Sequence, residues 1–419
     1  MPLPTLMIHD RSDSPLRALG GLTPRQFLAE YWQKKPLFVR GAVPEAADAV
    51  TPQALRTLAQ RPDAVSRLVL EEGGEYPWEL RHGPFRPRDW RSLPERKWTF
   101  LVQEVDRFVP AARVLLETFA FVPRWRMDDV MVSYAVPEGG VGAHVDNYDV
   151  FLIQGLGRRR WRIGDQPIPA AEEVLFEDLD VAMLAEWEAA EEFVVEPGDL
   201  LYLPPRFAHE GVALDECLTI SVGFRAPSHR DLLGGFLEHA LLNAPDDAFY
   251  TDPDLTPATH PGEIAPEAVA RLHQVLLDAV QDEAAFRLWL GAHLTEARRE
   301  MDEPVDPESS SAEEADHETV AARLREGVAL THAPGARLAY VRSEGGSATL
   351  FANGQAYELE PPLAPLAPLL TDHPAIPAEA LTPHLATPDV PDLLIALLED
   401  GALVWAGEGS ERREVPAST

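Results

Sequence analysis

Apolar residues recur at helical spacing near the start of the chain. Phe27, Leu28 and Tyr31 fall on one face of a segment that opens with Thr23 and a proline. Threonine is a favourable N-cap, and proline suits the first position of a helix. The period of the apolar residues and this start signal predict helix. Two helices are expected in this part of the chain, over residues 22–32 and about 52–60.

The pattern changes to short apolar runs, rich in β-branched residues and separated by Gly and Pro clusters, between residues 128 and 225. Runs of this length and composition are typical of strands. Many short strands at such spacing predict a barrel or a jelly roll. The predicted strands are 130–136, 144–153, 159–163, 199–203 and 217–224.

Helical periodicity returns after Pro227, over 231–243 and 266–299. The second of these segments carries an apolar face that needs a partner surface. An acidic, serine-rich stretch follows and is typical of a linker. Short helices and a hairpin over 338–359 then resemble a winged helix. The predicted class is α+β, with a catalytic domain at 1–226, a helical region at 227–300, a linker at 301–318 and a C-terminal domain at 319–419.

Charge and cysteine content narrow the possible partners and the compartment. The chain has 36 Lys and Arg against 69 Asp and Glu, a net charge of −33, which disfavours nucleic-acid binding through a broad basic surface. Residues 319–419 carry six arginines, no lysine and thirteen acidic residues, so the winged-helix-like region is not expected to bind DNA. Cys217 is the single cysteine, and no apolar run reaches the length of a membrane span. We therefore expect a cytoplasmic protein without a membrane partner.

Two histidines in the β-rich region suggest a metal site. His144 and Asp146 are two residues apart, so a strand would project them to the same face. His209, from a distant strand, would complete a set of two histidines and one carboxylate, which suits a non-haem Fe(II) with open positions. The alternative is an ordinary histidine beside a solvated aspartate.

The arginines at 158–160 could hold an anionic cosubstrate such as 2-oxoglutarate. Strand alternation puts Arg159 on one face and its two neighbours on the other, so one or two of them can face inward. An inward guanidinium needs a partner, and a carboxylate fits its planar fork. Ser133 could bond to the same carboxylate or be an ordinary strand serine. Thr219 and Ser221 are further candidates.

These residues lie within motifs that resemble the bacterial JmjC-type ribosomal oxygenases of the cupin-4 class, whose enterobacterial member hydroxylates an arginine of ribosomal protein uL16. The resemblance covers most of residues 22–227 and, more loosely, the rest of the chain. The matching segments are 27–36, 136–151, 154–161, 196–199, 204–205, 209–211 and 221–227.

The resemblance implies a double-stranded β-helix in which His144, Asp146 and His209 hold Fe(II) and Arg159 holds 2-oxoglutarate, with Ser133 as a second contact. It also implies a helical dimerisation region, and hence a homodimer, before a winged-helix domain. Where the enterobacterial pattern has another serine, this chain has Ala135. The implied reaction consumes 2-oxoglutarate and O₂ and hydroxylates a protein side chain.

A basic ribosomal protein, similar to uL16, is the substrate that the resemblance implies. An arginine side chain needs carboxylates or aromatic faces at the mouth of the site, and four residues lie in suitable segments: Glu138, Tyr148, Asp149 and Glu210. Alternatives are a histidyl hydroxylase, another hydroxylase of the same class, or a non-catalytic dimeric cupin that only binds a partner.

Overall fold

The computed structural model describes residues 13–71, 78–177, 179, 182–245, 247–296 and 316–407. The chain divides into two compact units, one with the residues up to Ala226 and one that spans Pro227–Ala406. Nearly all of the predicted linker at 301–318 lies outside the described residues.

The first unit is built on two antiparallel sheets. The larger sheet has the strand order β1-β9-β6-β11-β5-β4-β2-β3, and the smaller one has the order β10-β7-β8. The strands are β1 (Leu37–Val39), β2 (Ser66–Glu71), β3 (Trp78–His82), β4 (Trp98–Val102), β5 (Met127–Ala135), β6 (Val150–Leu156), β7 (Arg159–Pro167), β8 (Glu191–Val195), β9 (Leu200–Leu203), β10 (Phe207–Ala213) and β11 (Cys217–Phe224).

The outer face of the larger sheet packs on the N-terminal helices. Alternate residues of β5, such as Val132, join a large apolar cluster with Phe27 and Phe151, and each fully buried aromatic side chain of this kind stabilises the fold by a few kcal/mol, about 1.5–3. The helices are α1 (Pro24–Glu30), α2 (Pro52–Leu58), α3 (Pro87–Arg91) and α4 (Pro110–Leu116). The first two confirm the predictions, and Thr23 caps α1 in a reciprocal box with Gln26.

The inner face of the larger sheet packs against the smaller sheet. A second apolar cluster joins residues of both sheets, among them Leu152 and Leu203 from the larger sheet and Trp161 and Ile163 from the smaller one. Because strand residues alternate between faces, the side chains of β5 and β11 that avoid the outer cluster point into this space. The arrangement is the predicted double-stranded β-helix, and it holds every candidate cofactor residue on its inner faces.

The prediction of one strand over 144–153 is wrong. Strand β6 begins only at Val150, and His144 makes one isolated bridge, to His209. The backbone before it turns at Gly142, which has a φ of +80°, a conformation that a regular strand does not contain. The polar residues that follow form a loop. Strands β1 to β4, β8 and β10 were not predicted, because they lie among prolines and charged residues that weaken the alternating pattern.

The second unit combines helices with two small sheets. Its helices are α5 (His229–Leu242), α6 (Pro266–Gln281), α7 (Glu283–Thr295), α8 (His317–Arg325), α9 (Leu366–Thr371), α10 (Ala378–Leu381) and α11 (Asp389–Glu399). Its strands are β12 (Leu330–His332), β13 (Leu338–Arg342), β14 (Ala348–Ala352), β15 (Gln355–Leu359), β16 (Ala375–Ile376) and β17 (Leu403–Trp405). The predicted hairpin over 338–359 is a three-stranded meander, β13-β14-β15.

The predicted helix 266–299 consists of two helices. Asp282 has a ψ of 89°, and its carboxylate accepts a hydrogen bond from the backbone N–H of Ala285 at 2.9 Å. Aspartate favours this capping role, which ends one helix and starts the next. The helical spacing of apolar residues continues from α6 into α7, so this spacing alone does not reveal the break between the two helices at Asp282.

Helix α6 carries an apolar face that the described part of the chain leaves exposed. Every residue of α6 is exposed or half-exposed, and five aliphatic side chains on it are between 41% and 63% exposed: Val269, Leu272, Val275, Leu276 and Val280. None of the helices in the described part of the chain combines the length and the apolarity that crossing a bilayer requires.

Candidate active site

His144, Asp146 and His209 converge, and their potential ligand atoms lie within 4.8 Å of one another. The Asp146 carboxylate oxygens are 3.9 Å from Nε2 of His144 and 3.6 Å from Nε2 of His209. The two imidazole rings have centroids 4.2 Å apart. Two imidazoles and one carboxylate that converge on one centre match the donor set of a facial Fe(II) site.

Hydrogen bonds orient both imidazoles toward this centre. Nδ1 of His144 faces the carbonyl oxygen of Gly142 at 3.0 Å, and Nδ1 of His209 faces that of Phe207 at 2.9 Å. An N–H on each Nδ1 satisfies these carbonyls and leaves both Nε2 lone pairs directed at the shared centre. Burial, together with the nearby His144, lowers the pKa of His209 to about 4. His209 is therefore neutral near pH 7, the form that binds a metal.

Backbone pairing brings the two histidines together. The N–H of His144 donates to the carbonyl of His209 at 3.0 Å, and the N–H of His209 donates to the carbonyl of His144 at 2.9 Å. Asp146 lies in the loop beyond this bridge, where its carbonyl accepts from the N–H of Arg206 at 2.7 Å. The two ligands of the His-x-Asp motif are thus positioned by contacts with β10 and the turn before it, and not by a shared strand.

Arg159 is the inward-facing arginine. Its side chain is 3% exposed, it pairs in register with Ala213 on the inner face, and its Cζ lies 5.6 Å from the ring centroid of Trp161. Among the described residues, its Nε and Nη2 have no hydrogen-bond partner. A buried, unpaired guanidinium is costly unless an anion binds it. This observation fits a carboxylate-bearing cosubstrate such as 2-oxoglutarate.

The three predicted hydroxyl residues lie on the inner face of the larger sheet, opposite Arg159's sheet. Ser133 pairs in register with Thr219, and Ser221 pairs with Met131; all three hydroxyl residues are buried. The Thr219 hydroxyl donates to Oε1 of Gln154 at 3.1 Å. Thr219 therefore already has a partner within the sheet.

Two polar residues on this face escaped the sequence analysis. Thr99 lies beside Ala135 in register, and its buried hydroxyl has no hydrogen-bond partner in the described part of the chain. Asp129 is buried on β5 and raises the pKa of Tyr148. For Thr99 the only signal is a lone polar residue in an apolar strand, and Asp129 stands beside another aspartate, Asp128, at the start of β5. Neither pattern tells which face the residue occupies.

The four candidates for the mouth of the site lie in different environments. Asp149 is fully buried, so its prediction as a contact for a substrate is wrong. Glu138 forms an ion pair with Arg96 at 2.7 Å, and Glu210 accepts from Nε of Arg162 at 2.8 Å. The Tyr148 side chain is half-exposed. Burial and a hydrogen bond from its hydroxyl to Asp146 raise the pKa of Tyr148.

Asp149 instead anchors the loop that carries Asp146. Its carboxylate accepts from the Tyr202 hydroxyl at 2.7 Å, from Nε2 of Gln33 at 2.9 Å and from Nη2 of Arg126 at 3.3 Å. Burial raises the pKa of Asp149, and these donors oppose the shift. The network ties the segment after α1 and the start of β5 to the loop three residues beyond a metal-binding candidate.

Comparison with known proteins identifies the family. A JmjC domain model matches residues 114–232, and a ROXA-like winged helix model matches residues 278–404. The ribosomal protein uL16 3-hydroxylase of Escherichia coli (strain K12) is 35% identical over 91% of this chain and 97% of its own length. The chain belongs to the JmjC-type ribosomal oxygenases. A probable ribosomal oxygenase of Haemophilus influenzae is 37% identical over 63% of this chain and 66% of its own length.

Solved structures of this ribosomal oxygenase family agree with the sequence match. YcfD, a ribosomal oxygenase from Escherichia coli, in complex with cobalt and 2-oxoglutarate has a TM-score of 0.77 at 33% identity, over 92% of this chain and 99% of that chain. Its complex with cobalt and succinic acid has a TM-score of 0.76 over the same shares. The protein is a 2-oxoglutarate-dependent protein hydroxylase that uses Fe(II), 2-oxoglutarate and O₂. The predicted family, fold, enzyme class and cofactors are confirmed.

The substitution Tyr202→Phe tests the buried Asp149 network. It removes the hydrogen bond from the Tyr202 hydroxyl to the buried carboxylate and the one that this hydroxyl accepts from the backbone N–H of Gln33 at 2.8 Å. We expect the free energy of unfolding to fall by about 1–3 kcal/mol at neutral pH. The bond from the Tyr202 hydroxyl favours the charged form of Asp149, so its loss raises the pKa of Asp149 further in the folded variant. The Asp149 carboxyl group then binds its proton more tightly in the folded variant than in the unfolded chain. The loss in free energy of unfolding relative to the wild type therefore grows as the pH rises through that pKa.

Urea unfolding of the full chain, followed by near-ultraviolet circular dichroism at neutral pH and at the lowest pH at which the wild type is folded, measures this difference. Tyr31→Phe is the control, because Tyr31 is half-exposed and stacks on the same aromatic residue, Phe27. A deficit for Tyr202→Phe that is equal at both pH values would show that the carboxylate is not the partner that matters.

Proposed function

We propose that this oxygenase hydroxylates an arginine side chain of ribosomal protein uL16. The observation that carries the proposal is the cluster of His144, Asp146 and His209 together with the buried Arg159, whose Nε and Nη2 have no hydrogen-bond partner among the described residues. Trp161 contacts both groups, because its ring centroid lies 5.9 Å from that of His209 and 5.6 Å from Cζ of Arg159. This arrangement occurs in a chain similar to a uL16 3-hydroxylase over nearly the whole length of both proteins. Because ribosomes are cytoplasmic, we place the protein in the cytoplasm.

His144, Asp146 and His209 would hold the iron. Both histidines present Nε2 to the centre, and His209 is already neutral near pH 7, so no proton has to leave it before the metal binds. When bound, Fe(II) and 2-oxoglutarate supply the oxidation of a substrate C–H bond with O₂. The protein contributes ligation, orientation and the exclusion of side reactions, and it needs no nucleophile or general base for that chemistry.

Arg159 would hold the distal carboxylate of 2-oxoglutarate. Its unpaired Nε and Nη2 face the space between the sheets, and a carboxylate can accept from both at once. Ser133 supplies a hydroxyl on the opposite sheet. Ala135 cannot, but Thr99 lies beside it in register with a hydroxyl that has no partner among the residues that the structure describes. Thr99 thus compensates for the serine that the enterobacterial pattern has at 135, while Thr219 and Ser221 complete the polar lining.

An arginine substrate fits the charge around Tyr148. The Tyr148 ring is half-exposed beside the ligand Asp146, and the buried Asp129 is close enough to raise the pKa of its hydroxyl. An aromatic face binds a guanidinium, and nearby negative charge attracts it. Glu138 and Glu210 already pair with arginines of this chain, so they would contribute only long-range attraction.

The helical region, 227–300, would form a homodimer. The exposed aliphatic face of α6 is what a second copy of the chain would bury, because an isologous interface places the same apolar patch on both subunits. The C-terminal domain at 319–419 would be an interaction module and not a DNA reader, since its net charge is negative.

Mass spectrometry of uL16 tests the activity. Recombinant uL16 from the same organism, incubated with the enzyme, Fe(II), 2-oxoglutarate and air, should gain one oxygen, a mass of about 16 Da, on an arginine, whereas the His144→Ala enzyme should leave it unmodified because one metal ligand is lost. A gain on a histidine would instead favour a histidyl hydroxylase. An unmodified uL16 with wild-type enzyme would reject the proposal.

Substitution of Arg159 tests the cosubstrate site. Arg159→Gln should raise KM for 2-oxoglutarate by about 10- to 100-fold, because it removes charge-assisted hydrogen bonds to a carboxylate. Thr99→Val should raise KM by less, since its hydroxyl is neutral. Arg160→Gln is the matched control, because that neighbour points to the other face of β7. Succinate formation measures the rates, and an unchanged KM for Arg159→Gln would contradict the assignment.

Light scattering tests the dimer. The wild type should have twice the mass of one chain at micromolar concentration, and Leu272→Glu with Leu276→Glu should reduce it to that of a monomer, because two carboxylates cannot be buried in an apolar interface without partners. Gln274→Glu, on the opposite face of α6, is the control. A wild-type monomer would contradict the proposal.

A further inference from the structure

Two short described parts of the segment between β7 and β8 pair with each other next to the metal-binding candidates. These two arms, residues 174–176 and 183–185, run antiparallel through a bridge between Leu175 and Leu184. The N–H of Phe176 donates to the carbonyl of Met183 at 3.0 Å, and the N–H of Ala185 donates to the carbonyl of Val174 at 2.8 Å. We call 174–176 the outer arm and 183–185 the inner arm.

The inner arm is fixed to the segment that leads into His144. Met183 and Leu184 are buried, and the N–H of Leu184 donates to the carbonyl of Ala143 at 2.8 Å. A Cβ at Gly142 would lie 1.9 Å from Sδ of Met183, so the Met183 side chain lies directly on the backbone there. Only glycine at 142 allows this contact.

Arg206 fixes the other side of the loop. Its Nη2 forms an ion pair with Glu173, next to the outer arm, at 2.9 Å. Its Nε donates to the carbonyl of Ile168 at 2.8 Å, and its backbone N–H donates to the carbonyl of Asp146 at 2.7 Å. The outer arm is therefore held in a defined position relative to both His144 and Asp146.

The outer arm presents three consecutive large apolar side chains to solvent. Val174, Leu175 and Phe176 are 46%, 41% and 52% exposed. An exposed apolar run is typical of an interaction site. The surrounding sequence is strongly acidic, since residues 168–192 contain nine Asp and Glu and no Lys or Arg. Among the described carboxylates of this segment, those of Glu172, Glu177, Glu186, Glu188, Glu191 and Glu192 are exposed.

We propose that the outer arm and its carboxylates are the docking surface for the basic protein substrate, which binds there through an apolar segment flanked by Lys and Arg. This inference rests on the proposed function for the identity of that substrate. An apolar centre with a charged rim is the usual anatomy of a protein interface. The surface favours a cationic protein over a second copy of this chain, because two such acidic loops would repel each other.

Docking at this loop gives the enzyme recognition beyond the target side chain. The loop is anchored to the same segments that carry His144 and Asp146, so a protein bound on the outer arm is held at a fixed distance from the reacting centre. A small molecule would gain nothing from such a surface. Specificity for one arginine among many then comes from contacts beyond the reacting centre.

Binding of fluorescently labelled uL16 to the full-length enzyme tests the docking surface without relying on turnover. Val174→Ser with Phe176→Ser should raise Kd at least about 10-fold, as expected when an interface loses its central apolar anchors. Val114→Ser is the matched control, because Val114 is an aliphatic residue that is 67% exposed on α4, away from this loop. Glu172→Lys with Glu177→Lys should also raise Kd and weaken its dependence on salt concentration.

Equal Kd values for the wild type and the Val174→Ser, Phe176→Ser enzyme would overturn the docking surface, as would a wild type that does not bind uL16. Circular dichroism verifies that each variant is folded. Light scattering identifies a variant that changes the subunit number, a result that would assign the loop to a second copy instead. A wild type that binds uL16 through the outer arm but adds no oxygen to it would reject the proposed function and leave the docking surface supported.

Discussion

The paired backbone hydrogen bonds between His144 and His209 are the constraint on which the candidate active site depends. They join a loop after Gly142 to the smaller sheet, and so bring two imidazoles from distant parts of the chain to one centre. Asp146 then needs only a short loop to reach the same place. Both histidines direct Nδ1 to a carbonyl two residues earlier, so the local backbone also selects which nitrogen can bind a metal.

The two faces of the larger sheet serve different purposes. The outer face packs apolar side chains against the N-terminal helices and supplies the stability of the unit. The inner face tolerates serine, threonine and a buried arginine whose guanidinium is not fully hydrogen-bonded within the described part of the chain. Without a ligand, such buried polar groups destabilise the fold. An anionic ligand can accept the hydrogen bonds that they would otherwise lack. Asp149 shows the opposite case, since three side chains of the same unit complete its hydrogen bonds.

The strong acidity of the chain bears directly on the docking surface proposed for the loop between β7 and β8. A net charge of −33 attracts cationic proteins at long range and repels nucleic acid, but it does not select one partner. The outer arm adds an exposed apolar centre within the acidic surface, held by Arg206 and the inner arm beside the metal-binding candidates. Long-range attraction and short-range recognition are thereby combined close to the metal-binding candidates.

Sequence by itself determined the helices α1 and α2, strand β11 and the candidates His144, Asp146 and His209, because these follow from local periodicity, capping and family motifs. Strand alternation left open which of the arginines at 158–160 face inward, and the tertiary structure buries Arg159. Tertiary structure alone decided that Asp149 is buried, that Thr99 lies beside Ala135, and that the outer arm is exposed. Each of these depends on which distant segment covers a residue. A polar residue in an apolar strand gives the same local sequence pattern whether its side chain contacts solvent, a ligand or a buried partner. Only the packing of distant segments decides which of these environments it has.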